Sequence, residues 1–145
     1  MSNDWAAGTS KAVGQTASAG FQIGVRRTLP MTEEQAWSFL TSAEGLKLWL
    51  GEVSGFALQA GESFVSEEGI SGEFRVVKPK QQLRLRWKPS GWAAPSTLQI
   101  RLLPASSGRT TISFHQEQLD GPETRERMKL HWEHVLDEIR RYTGE

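Results

Sequence analysis

Residues 83–88 read Leu-Arg-Leu-Arg-Trp-Lys, a strict alternation of apolar and basic side chains. Because successive side chains of a β-strand point to opposite faces, this segment predicts a strand with one apolar and one charged face. A strand that is wet on one side is typical of an antiparallel sheet. The same alternation recurs in residues 98–102 and 112–114, which predicts further strands of the same sheet.

Strand-like segments separated by Gly and Pro fill residues 52–117. No connection within this stretch is long enough for a helical crossover, so we expect an antiparallel meander of about six strands. Upstream, residues 21–25 alternate as a first strand. Two short helices follow, the first capped by a Thr32–Gln35 capping box and the second spanning about residues 43–49 behind Ser42.

A long C-terminal helix is predicted over residues 122–143. Its apolar positions recur every three or four residues, and Pro122 suits its first turn. The helix is the only element large enough to cover the apolar face of the sheet. The stripe comprises Met128, Trp132, Val135, Ile139 and Tyr142.

The order of these elements predicts one α+β domain of the helix-grip type over residues 21–145. We expect a curved antiparallel sheet of six to seven strands around the C-terminal helix, with two short helices after the first strand. Residues 1–20 are rich in Ser, Thr, Ala and Gly and are expected to form a disordered tail. Trp5 is the only bulky group of that tail, where it is either a bystander or a docking residue.

Composition narrows the class of function. The 145 residues contain 17 basic and 17 acidic side chains, so the formal net charge is zero, which argues against non-specific nucleic-acid binding. There are no cysteines, no apolar run near the ~20 residues of a membrane span and no secretory leader, so we expect a cytoplasmic protein.

A bent sheet that grips one helix rarely closes completely, so an apolar cavity between helix and sheet is expected. The alternative is that the many large rings fill this space at normal packing density. If the cavity exists, its ligand-binding lining is predicted to consist of Phe39, Trp49, Phe64, Phe74, Trp87, Met128, Trp132 and Val135.

The chain resembles the activator of heat-shock protein 90 ATPase homologue-like family, within the START-like (SRPBCC) superfamily, over about residues 21–143. The resemblance rests on the order of several short motifs, and the final helix has His131-Trp132 where the family usually has Gly-Trp. It implies the helix-grip fold and, more weakly, binding of lipids, sterols or polyketides, cyclase activity, or stimulation of a chaperone ATPase. Besides His131-Trp132, the segments that carry the resemblance are residues 27–30, 34–37, 43–49, 61–64, 71–79 and 108–112.

We found no motif for a catalytic site, a metal or a cofactor. His131 and His134 share a helix at i,i+3, but His134 is expected to face solvent, and His115 is expected on the wet face of its strand. Glu67-Glu68 is interpreted as a solvated turn. Trp92 lies in the longest hairpin loop, where it either caps a cavity mouth or meets a partner, or folds back on its own sheet.

Three functional hypotheses follow. The leading one is a non-enzymatic binding domain for a small hydrophobic molecule such as a lipid or polyketide. The second is a protein-interaction module or chaperone co-factor that works through the charged face of Arg84, Arg86 and Lys88. A cyclase-like enzyme is the least favoured, since no acid–base pair is visible.

Overall fold

Seven antiparallel strands form a single sheet in the order β1-β2-β7-β6-β5-β4-β3. The structure is a computed structural model in which residues 15–16, 20–55 and 57–144 are described. The strands are β1 (Gln15–Thr16), β2 (Gly20–Leu29), β3 (Ser63–Val65), β4 (Ser71–Lys78), β5 (Gln82–Lys88), β6 (Ser96–Pro104) and β7 (Thr110–Leu119).

Three helices complete the fold, α1 (Glu33–Leu40), α2 (Ala43–Trp49) and α3 (Pro122–Tyr142). The predicted α+β architecture of a sheet, two short helices and a long C-terminal helix is therefore confirmed. The meander downstream of α2 has five strands instead of about six, because the described residues of 52–62 form mainly bends and turns.

The predicted tail lies mostly outside the described residues, as does Trp5. Its described part includes β1, in which Gln15 pairs with Phe21 and Thr16 with Gly20. A short edge strand is therefore present inside the segment for which we expected no fixed structure.

The caps of the short helices match the sequence prediction. The backbone N–H of Thr32 donates to Oε1 of Gln35 at 2.8 Å, and the N–H of Gln35 donates back to Oγ1 of Thr32 at 3.1 Å. The Oγ of Ser42 accepts from the N–H of Gly45 at 3.1 Å and caps α2. These bonds satisfy amide groups that a helix start leaves unpaired.

Gly45 sets how closely α2 approaches α1. A Cβ atom at this position would lie 1.9 Å from the carbonyl oxygen of Phe39, closer than any side chain can come. Only Gly therefore permits this packing.

The inner face of the sheet packs on α3, where Trp132, Val135, Leu136 and Ile139 are at most 1% exposed. This confirms the predicted apolar stripe at Trp132, Val135 and Ile139, whereas Met128 is only partly buried and Tyr142 is 58% exposed. Arg27 was not expected at this interface, yet its guanidinium pairs with the carboxylate of Asp137 across β2 and α3. Among the described residues, no helix combines the length and apolarity needed to cross a membrane.

Candidate functional site

Trp132 is fully buried, and its indole N–H would be costly to bury without a partner. Its Nε1 donates to Oε1 of Gln116 at 2.7 Å, and Nε2 of Gln116 donates to Oγ of Ser96 at 2.9 Å. Ser96 in turn donates to the carbonyl of Trp87 at 2.7 Å. A chain of buried hydrogen bonds thus joins α3 to β7, β6 and β5 and fixes the orientation of the Trp132 ring.

Trp87 and Trp49, which are also buried, link the sheet to the short helices. Nε1 of Trp87 donates to the carbonyl of Trp49 at 2.9 Å, and Nε1 of Trp49 donates to the carbonyl of Leu40 at 3.0 Å. Rings whose polar atoms are bonded in this way have few alternative orientations, so they form a rigid wall.

Four rings form the His131 cluster, defined as Trp87, Trp92, His131 and Trp132. The centroid of Trp87 lies 5.8 Å from that of Trp92, 6.2 Å from that of His131 and 5.3 Å from that of Trp132. The His131 and Trp132 centroids are 4.5 Å apart. Trp87 and Trp132 are buried, whereas Trp92 and His131 are partly exposed, so the cluster connects the core to the surface.

His131 is the polar group of this cluster. Its Nε2 atom is buried, and within the described part of the chain it has no hydrogen-bond partner. Burial lowers the pKa of the imidazole below its usual range, and the charge of His134 adds to this effect. The ring is therefore neutral at pH 7 and presents an unused hydrogen-bonding atom among aromatic surfaces.

The predicted lining residues are not all at one place. Six of the eight are at most 4% exposed. Aromatic rings among them are in contact, with 5.4 Å between the centroids of Phe64 and Phe74 and 6.4 Å between those of Trp49 and Phe74. Met128 is partly exposed and packs against the core. The six are Trp49, Phe64, Phe74, Trp87, Trp132 and Val135.

Phe39, on α1, lies beside the C-terminal end of α3. It lines a groove of about 570 Å³ between the short helices and that end of α3. Its ring centroid is 4.0 Å from that of the exposed Tyr142. Carboxylates of Glu34 and Glu44 line the same groove. Phe39 is thus separated from the His131 cluster.

The other residues singled out in the sequence also lie at separate places in the fold. Trp92 contacts Trp87 and is partly exposed. His134 is exposed as expected, and His115 lies on the outer face, where Nε2 approaches Oε1 of Gln22 at 3.1 Å. Within the described ranges, no group of three or more His, Asp or Glu side chains is placed to hold a metal ion.

Glu68 is more than a solvated turn residue. Its carboxylate accepts a hydrogen bond from the backbone N–H of Glu52 at 2.8 Å, and this bond holds the pKa of the carboxyl below its usual range. The interaction ties the segment after α2 to the turn between β3 and β4. We infer a structural role for Glu68.

A family model for Activator of Hsp90 ATPase homolog 1-like proteins matches residues 30–144. The chain belongs to this family. Comparison with curated proteins gave no match.

Solved structures share the helix-grip fold of this chain. CalU16 from Micromonospora echinospora is 21% identical with a TM-score of 0.68, over 80% of this chain and 70% of that one. An HSP90 activator from Plasmodium falciparum is 20% identical with a TM-score of 0.72, over 85% and 96%. DynU16, described as a protein in the dynemicin biosynthetic locus, is 20% identical with a TM-score of 0.74, and the match spans 85% of this chain but only 47% of DynU16.

Proposed function

We propose that this domain binds a small hydrophobic molecule without transforming it, and that the ligand is an aromatic compound bearing a hydroxyl or carbonyl group. The observation that carries the proposal is the buried, unpartnered Nε2 of His131 beside Trp87 and Trp132. Binding sites for small molecules combine apolar walls with a few convergent polar groups. The His131 cluster has this composition.

The aromatic walls favour a planar ligand. Rings pair with rings at centroid separations of 4.5–7 Å, the range already found within the cluster. Trp92 and His131 are only partly buried, whereas the bonded rings of Trp87 and Trp132 keep their orientation. A ligand would enter by displacing the outer two side chains, Trp92 and His131.

The hydrogen-bonding atom favours a ligand with one polar group. A neutral imidazole nitrogen either accepts from a hydroxyl group or donates to a carbonyl group, depending on its tautomer. Because a buried polar atom without a partner costs free energy, a ligand that supplies the partner gains affinity over one that does not.

The test compares 2-naphthol with naphthalene by isothermal titration calorimetry. We expect 2-naphthol to bind more tightly by about fivefold, the ratio that corresponds to a hydrogen bond of about 1 kcal/mol. His131→Leu should remove this preference while naphthalene still binds. His134→Leu, a change of the same kind three residues along α3, should leave the preference intact.

Two results would count against the proposal. One is that neither probe binds the wild-type domain at concentrations up to its solubility. The other is that both probes bind and that His131→Leu and His134→Leu change the preference equally.

A further inference from the structure

We propose that the outer face of the sheet binds an extended acidic segment of a partner protein, through an arginine patch defined as Arg75, Arg84, Arg86 and Arg101. This site is independent of the His131 cluster, because it lies on the opposite face of the sheet from Trp87 and α3. Its evidence is the placement of the arginines in the strand register.

The register brings the four side chains together. Arg84 and Arg86 are alternate residues of β5, so both point outward between the buried Leu83, Leu85 and Trp87. Arg101 is opposite Gln82 on β6 and is therefore diagonal to Arg84. Arg75 lies on β4, where the pairing with β5 shifts register between Phe74 and Val76, so it has no paired residue on β5.

A recess of about 230 Å³ lies among three of these side chains. Its walls are formed by Arg75, Arg84 and Arg86 together with Thr97 and Gln118, which are joined by a hydrogen bond of 2.7 Å. The guanidinium group binds carboxylates through two parallel hydrogen bonds, a geometry that lysine does not offer. The recess is suited to a carboxylate group.

Ion pairs neutralise little of the positive charge of these arginines. In the part of the chain that the structure describes, Arg84, Arg86 and Arg101 form no ion pair, and Arg75 reaches Glu73 only at 3.9 Å. In the strand register, Arg86 is directly opposite Glu73 on β4, whereas Arg84 is opposite Val76 and Gln99 and has no acidic residue across from it. The concentration of these arginines on one face of a chain with zero formal net charge therefore favours a role in binding.

The spacing identifies the class of partner. Two residues of a strand span about 6.8 Å, so Arg84 and Arg86 are separated by the same repeat as alternate side chains of an extended peptide. A peptide with acidic residues at alternate positions matches this repeat. A compact anion such as phosphate can contact only one part of such a row.

The experiment measures binding of the full chain to a fluorescein-labelled peptide of three Thr-Glu repeats, by fluorescence anisotropy at low salt. We expect Arg84→Gln/Arg86→Gln to weaken binding by at least about tenfold, equivalent to about 1.4 kcal/mol. The control, Arg140→Gln/Arg141→Gln, makes the same charge change at exposed positions of the last turn of α3 and should change the affinity by less than twofold. Thermal unfolding of the Arg84→Gln/Arg86→Gln protein should give a midpoint close to that of wild type, because both side chains are exposed.

Comparison probes separate an acidic peptide from other anions. A peptide with its three Glu residues adjacent should bind more weakly than the alternating one, and inorganic phosphate should compete poorly. Equal affinity for the two peptides would overturn the proposal, as would tighter binding of a single-stranded oligonucleotide of equal charge. Equal losses in the two double variants would also overturn it, since they would indicate only non-specific electrostatic attraction.

Discussion

The indole Nε1 of Trp132 lies 2.7 Å from Oε1 of Gln116, and neither residue is exposed to solvent. A fully buried amide in an otherwise apolar layer is stable only if its donors and acceptor are used. The oxygen of the Gln116 amide accepts from Trp132, and one of its N–H groups donates to Ser96. The pair therefore determines how α3 is oriented on the sheet.

Replacing Gln116 tests this relationship. Gln116→Leu leaves the Trp132 N–H buried without a partner, so it should lower the free energy of unfolding by about 1–3 kcal/mol in urea denaturation. Gln99→Leu, on the outer face of β6, is the control and should stay within about 0.5 kcal/mol of wild type. In the double variant Gln116→Leu/Trp132→Phe the loss should be smaller than the sum of the single losses, whereas strict additivity would contradict the coupling.

Trp132→Ala should cost about 3–5 kcal/mol, the range for deleting a large buried aromatic side chain. The ring is stacked on Phe114 with centroids 4.9 Å apart, so its removal leaves a cavity that the rigid wall cannot fill. Chemical denaturation gives the value. A loss below about 1 kcal/mol would show that α3 does not depend on this face.

Gly45→Ala should destabilise the contact between α1 and α2. The added Cβ would overlap the carbonyl oxygen of Phe39, and overpacking of this kind typically costs about 1–3 kcal/mol. Glu44→Ala, at the neighbouring exposed position, is the matched control and should be within about 0.5 kcal/mol of wild type. If thermal unfolding gave the same midpoint for both variants, the close approach of the helices would be wrong.

The sequence predicts most of the fold because its patterns are local. The alternation in residues 83–88 determines which side of β5 is buried, and the Thr32–Gln35 box predicts the start of α1 by direct reciprocal bonds. Both features follow from residue types at neighbouring positions. They do not depend on the rest of the molecule.

The parts that were not predicted depend on contacts between distant residues. Gln116 occupies an inward position of β7 although its side chain is polar, and only partners on β6 and α3 make this burial acceptable. Arg27 likewise lies on the inner side of β2 because Asp137 meets it from α3. The sequence shows His131 where the resembled family usually has Gly. Only the fold shows that its Nε2 atom is buried without a hydrogen-bond partner among the described residues.

The stability of the domain should depend on the protonation of His131. Burial lowers the pKa of this imidazole in the folded state, so below its unfolded pKa of about 6.5 the unfolded chain binds more protons. The free energy of unfolding should therefore fall as the pH decreases from about 6.5 toward the lowered pKa, and this part of the loss should be missing in His131→Leu.

Urea denaturation between pH 7.5 and 5 measures this difference. His134→Leu is the control, because His134 is exposed on the same helix, and it should retain most of the pH dependence. If the wild-type and His131→Leu proteins lost stability in parallel over this range, the imidazole would not be held in its neutral form by burial.

The most direct test of the proposed ligand site is the ¹⁵N resonance of the His131 Nε2 atom, recorded with histidine-labelled protein before and after addition of 2-naphthol. We predict that this resonance shifts when the hydroxyl group supplies the missing hydrogen bond, that naphthalene shifts it much less, and that the ring nitrogens of His115 and His134 respond to neither compound. A His131 Nε2 resonance that stays unchanged while calorimetry shows 2-naphthol bound would contradict the account.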